Sequence, residues 1–223
     1  MNSLPKREKL QKGIALAHAR ARETGRPVVV RWARSLGDVD PWTLLGRTGP
    51  HWSAFHGRSP GITALTDGHI WRHDEVERRS TALSAEEMKR GMVEVGPEGL
   101  ATLREPLFFG GTSFARSNTP LTQAWRDWPT HHFFLPRVLL WKEGGATTMV
   151  ISRRVSPEDK PGSVEADLVL DAASVEERID TAASPRSPSA MAASAAVSCS
   201  SAKLSRSRAC AGLSAIVARA SGA

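Results

Sequence analysis

The residues able to do chemistry are few and thinly spread. Histidines come in pairs at His69/His73 and His131/His132, and carboxylates at Asp38/Asp40 and Glu86/Glu87. A glycine pair precedes hydroxyls in Gly110-Gly111-Thr112-Ser113. A phosphate cradle needs a G-x-x-x-x-G-K-[ST] run opening a helix, so that backbone N–H groups and a lysine converge on the phosphates. The glycine pair has neither that spacing nor a following helix, and it reads as a place where backbone approaches a neighbouring strand closely. Histidines four apart share a metal on a helix, but on the strand expected here they share a face about 13 Å apart. His131 and His132, adjacent on a strand, point to opposite sides. Asp38/Asp40 flanks a loop and Glu86/Glu87 caps a helix, so both read as solvated surface rather than acid–base pairs. No G-x-S-x-G elbow supports a Ser-His-Asp nucleophile. Cys199 and Cys210 make no disulfide scaffold, and zinc would want more ligands nearby. Trp125 and Trp128, next to Pro129, read as core anchors. The residues by themselves assign no catalytic, cofactor-binding or metal-ligating role.

The elements that would position these residues are mostly strands. Lys6 to Glu23 reads as a helix with Leu10, Ile14 and Ala17 on one face, stopped by Gly25-Arg26-Pro27. Pro27 to Ala33 is a β-branched, buried strand, and Pro41 to Leu45 a helical turn. His51 to His56, Ile62 to Thr66 and Gly68 to His73 read as successive short strands, the last two joined by an Asp67-Gly68 hairpin turn. Ser84 to Glu87 is a capping box opening a helix to about Val95, closed by Gly96-Pro97. Leu107 to Phe114 is a strand with a glycine pair. Glu143-Gly144-Gly145 joins the strands His132–Lys142 and Ala146–Arg153 in a hairpin. Ser174 to Glu177 is a second capping box, opening a last helix. Many strands, few helices and meander-like connections predict α+β with a largely antiparallel sheet.

Composition divides the chain. The 223 residues carry a net charge of +7, but residues 181–223 hold five basic residues and no acidic one, which leaves an ordinary +2 for the rest. The same 43 residues contain 14 Ala and 11 Ser and no aromatic, whereas all seven Trp lie between Trp32 and Trp141. A segment without large side chains buries little, so a disordered or weakly helical tail is expected, or an out-of-frame one. The basic pI belongs mostly to this tail, without the dense basic runs or aromatics of a nucleic-acid arm, so no nucleic-acid partner is expected. No apolar run approaches the ~18 residues of a membrane span, and Met1 to Lys12 lacks the apolar core of a signal peptide. The expectation is a cytoplasmic protein with an N-terminal helix over residues 1–25, a main unit over 26–180 and the tail over 181–223.

The order of segments resembles the N-terminal part of isochorismate synthases of the chorismate-utilising enzyme family. Its carriers are Arg26-Pro27-Val28-Val29-Val30-Arg31-Trp32-Ala33-Arg34, Asp40-Pro41, His51-Trp52-Ser53 and Leu107-Phe108-Phe109-Gly110-Gly111-Thr112-Ser113-Phe114. Trp125-Arg126-Asp127-Trp128-Pro129 then leads into Phe133-Phe134-Leu135-Pro136-Arg137-Val138-Leu139-Leu140. The resemblance implies conversion of chorismate to isochorismate with Mg²⁺, for menaquinone or siderophore synthesis. It also implies a catalytic half with a Lys-Val-Val-Leu-Ala-Arg-like motif whose lysine activates water, a glutamate acid and further glutamates holding Mg²⁺. This chain has no such lysine motif, no Thr-Pro-Glu segment and no acidic residue after Asp180. No catalytic, cofactor-binding or metal residue is therefore carried over. The expectation is a truncated isochorismate synthase, inactive as this fragment and holding no cofactor. Its expected partners are a complementary catalytic half or a chaperone, because half a fold leaves apolar surface uncovered. The alternative is a non-catalytic module binding a separate chorismate-binding chain.

Overall fold

Helix α1 (Leu4–Thr24) forms where apolar residues recur at helical spacing, and Leu10, Ile14, Ala17 and Ala21 are all buried. Pro5 sits in its first turn, where a missing N–H costs nothing, and Gly25 closes it in the left-handed region at φ 64°. The structure is a computed structural model that describes residues 4–47, 52–56, 63–75, 85–96, 106–112, 131–183 and 218–219. After α1 come β1 (Val28–Gly37), a 3-10 helix (Pro41–Arg47), β2 (Trp52–His56) and β3 (Thr63–Glu75). A short helix α2 (residues 85–89) precedes β4 (Val93–Val95). Then follow β5 (Leu107–Thr112), β6 (His131–Glu143), β7 (Ala146–Val155), α3 (Pro161–Ala183) and a two-residue strand β8 (Ala218–Arg219).

The main sheet runs β2-β3-β6-β7-β1-β4, with β5 on β6 and β8 on β5. Every pair is antiparallel except β1 with β4. The α+β, largely antiparallel expectation is met. The Gly144-Gly145 turn joins β6 and β7 with both residues at positive φ, 60° and 84°, the twist a two-residue hairpin demands.

Alternation along β1 sorts the core. Val28, Val30 and Trp32 face α1 and α3, together with Val138, Leu140, Met149 and Ile151, while Val29 and Ala33 face the other side. That other side is covered by the molecule's own strands. β6 pairs with β7 over Val138–Glu143 and with β5 over His131–Phe134. At the change of partner stands Pro136, which has no N–H for a ladder, and β3 bulges opposite it between His69 and Trp71. Leu107 and Phe109 of β5 then pack with Leu139, Trp141 and Val150, while Phe108 and Trp71 meet Val29 and Met88. Among the described residues the exposed large apolar side chains are Leu16, Trp42, Val169 and Leu170.

Three local expectations are corrected. Asp67-Gly68 is no hairpin turn: β3 continues through it, with β6 alongside from Lys142 to His131. Gly68 takes φ 59°, and Arg137 of β6 lies over it, its Nε 3.1 Å from where a Cβ would stand. The helix expected to reach Val95 ends early, because Gly91 turns left-handed at φ 76° and the next residues alternate buried and exposed as strand β4. The last helix starts at Pro161 rather than at Ser174, which is an exposed mid-helix residue. Its buried stripe Val164, Leu168, Ala172 and Val175 runs straight past that position. In the tail, Ala218–Arg219 form the two-residue strand β8; the other tail residues after Ala183 lie outside the described residues, as do Ser84, Phe114, Trp125 and Trp128. Among the described residues no helix is long and apolar enough to cross a membrane.

Candidate functional site

Polar chemistry gathers where β3, β5 and β6 run together. Register sets Asp74 beside His132, and His132 beside Gly111. His132 Nδ1 lies 2.5 Å from Asp74 Oδ1, and Arg72 Nε donates to Asp74 Oδ2 at 2.5 Å. Partial burial works to raise the Asp74 carboxyl, but the hydrogen bonds from Arg72 and His132 outweigh it and hold the group below the ordinary aspartate range. Asp74 is thus an anion that orients the imidazole, the outer half of a His–Asp pair.

Gly110 makes this meeting of strands possible. A Cβ there would stand 1.9 Å from the His132 carbonyl oxygen, at φ 157°, so the glycine pair serves close backbone approach as expected. The two other histidines do not share a face. The β3 bulge sets His69 opposite Pro136 and His73 opposite Phe133, an odd step along β6 that puts the rings on opposite sides. His73 instead stacks on Trp71, centroids 5.6 Å apart.

A second cluster ties the sheet to α3. Arg137 donates to Asp67 Oδ2 at 2.9 Å and also bonds Asp171 of α3. Glu165, Asp167 and Glu176 of the same helix are held by Arg7, Arg153 and Arg34. A third is the Arg31–Glu94 pair across β1 and β4, 2.5 Å apart, with the Arg31 side chain only 3% exposed. Burial lowers the Arg31 pKa from the usual arginine value, with Glu94 opposing. Sequence reading missed all three, because their members lie tens of residues apart and spacing along the chain cannot join them.

The carboxylate pairs behave as surface. Asp38 accepts from Lys142 at 2.7 Å with its side chain 80% exposed, and Asp40 caps the 3-10 helix by accepting from Trp42 N. Glu86 is bonded to Lys89, and Glu87 to Arg26. Among the described residues no three of His, Cys, Asp and Glu come together as metal ligands. Among the described residues, then, no donor set fits the Mg²⁺ implied by the resemblance.

Comparison with known proteins gives three findings. A family described as chorismate binding enzyme matches residues 15–209. No curated protein matches. Among solved structures, MenF, the menaquinone-specific isochorismate synthase from Escherichia coli, is similar at 17% identity with a TM-score of 0.38. The similarity covers 78% of this chain and 35% of that one, so this chain spans about a third of its length.

Proposed function

The chain belongs to the chorismate-binding enzyme family, and from that premise we propose that its residues form the sheet-building, non-catalytic portion of an isochorismate synthase. The observation that carries this reading is a family match over residues 15–209 in a chain whose described residues bring no three of His, Cys, Asp and Glu together. Isomerising chorismate moves a hydroxyl. A base takes a proton from water as the oxygen attacks one ring carbon, and an acid protonates the hydroxyl leaving another. Such groups supply about 10²–10⁴-fold each when positioned on the substrate. Here Lys12, Lys89 and Lys142 instead bond Glu8, Glu86 and Asp38 at the surface. Asp74 is committed to Arg72 and His132, and Asp171 to Arg137. The proposed partner is a catalytic half bearing the lysine motif and the Mg²⁺-holding glutamates, in the cytoplasm, its product drawn into menaquinone or siderophore synthesis.

The assay is chorismate and Mg²⁺ with this chain, alone and then mixed with such a half, followed by chromatography for isochorismate. The expected result is no product above the enzyme-free control from the chain alone. Chelator-sensitive turnover by the chain alone overturns the reading.

A further inference from the structure

Helix α3 buries one stripe and displays another. Val164, Leu168, Ala172 and Val175 face the sheet, and Glu165, Asp167, Asp171 and Glu176 are neutralised by arginines of α1, β7, β6 and β1. On the far side Ser163, Ala166, Leu170, Ala173 and Glu177 are all exposed, spaced alternately three and four apart. That is the spacing of a helix surface that meets a second helix. Leu170, 66% exposed, is the apolar centre of the strip, and Val169, 44% exposed, stands at its margin.

The strip is complementary to itself. Reversed about Leu170, it sets Leu170 on Leu170, Ala166 beside Ala173, and exposed Lys160 within a lysine stem's reach of exposed Glu177. We propose that α3 docks on α3 of a second copy of this chain, antiparallel, about a twofold axis at Leu170. Antiparallel helices align their dipoles favourably, and a twofold makes each Lys160–Glu177 contact occur twice. The four arginine-neutralised carboxylates keep the two helices from repelling each other. One helix per copy is a small interface, so the association belongs at the weak, concentration-dependent end.

Sedimentation of the full chain over a concentration series tests this. The expected result is a monomer–dimer equilibrium whose dissociation constant rises about tenfold or more in Leu170→Lys, where two cations would meet on the axis. Lys160→Glu weakens the dimer, and adding Glu177→Lys restores it. Circular dichroism checks the fold of each variant. Cross-linking decides independently, in a background with Cys199→Ser and Cys210→Ser: Leu170→Cys oxidises to a disulfide with its own copy, whereas Ala166→Cys does so only when mixed with Ala173→Cys. A monomer up to about 1 mM, a dimer indifferent to Leu170→Lys, or failure of Leu170→Cys to cross-link overturns the proposal.

Discussion

The two sides of the sheet are closed by different means. On one side α1 and α3 lay regular apolar stripes over Val28, Val30, Leu140 and Ile151, and arginines from four elements fasten α3. On the other, the ends of β3 and β6 change course at the β3 bulge and Pro136, and β5 carries Leu107 and Phe109 onto Leu139 and Trp141. The helical side depends on side-chain area and charge, which adjust to substitution. The strand side depends on backbone conformation at single residues, which does not. A methyl group should therefore do far more harm on the second side than on the first.

The sharpest test is Gly110→Ala. Its Cβ would fall 1.9 Å from one backbone atom of β6 and 2.7 Å from another, and neither can rotate away. The expected cost is about 3 kcal/mol or more, visible in urea unfolding as a much lower midpoint or no folded state. A shift under about 1 kcal/mol would show that β5 and β6 do not approach this closely.

Arg137→Met comes next, because one side chain fastens both β3 and α3. It removes the bonds to Asp67 and Asp171 and leaves two mostly buried carboxylates behind. About 2 kcal/mol is expected, less than for a fully buried pair because Arg137 is itself one-third exposed. Arg153→Met, removing a half-exposed bridge to the same helix, should cost under about 0.5 kcal/mol. Equal losses for the two arginines would refute a special place for Arg137.

The helical counterpart of Gly110 is Gly13, whose added Cβ would meet the Val95 Cγ2 methyl at 2.1 Å. The obstacle is a side chain on short edge strand β4, and alanine recovers about 1 kcal/mol of helix propensity. Gly13→Ala should therefore cost about 1 kcal/mol net, read from the same urea curves. If it proves as damaging as Gly110→Ala, the contrast between the sides fails.

The same contrast governs what could be read from the sequence. The buried face of α1 and the hairpin at Gly144-Gly145 were legible because period and turn chemistry are local. Asp67-Gly68 was misread because Asp-Gly favours a turn locally, whereas here β6 and Arg137 from distant sequence keep the chain extended. Gly91 ended a helix that its capping signal would have carried on, and the stripe of α3 outran the Ser174 signal. The family resemblance was legible in segments such as Leu107–Phe109 and Phe133–Leu140, which are the strands of this fold. Its match runs to residue 209, past the change in composition at 181. The Asp74–His132 pair was hidden because only the register of two strands brings it together.

That pair offers the smallest and most specific test. Asp74 is held below the ordinary aspartate range by Arg72 and His132 against the opposing effect of burial. The folded state therefore binds fewer protons than the unfolded chain near the acid limb. Its contribution is fully present above about pH 4, the unfolded aspartate value, and is lost as pH falls through the lower folded value. The side chain is 30% exposed, so the effect should stay under about 1 kcal/mol. Asp74→Asn keeps the shape but cannot titrate, and its stability should fall less steeply than the wild type's between about pH 5 and pH 2. Glu165, lowered on the helical side by Arg7 and Gln11, gives the matching control in Glu165→Gln. Each substitution should flatten part of the acid limb and both together should add, because the groups stand on opposite sides of the sheet and share no partner. An unchanged slope in Asp74→Asn would mean that β3 and β6 do not hold the pair in the folded protein, and the register that joins Asp74, His132 and Gly111 would fall with it.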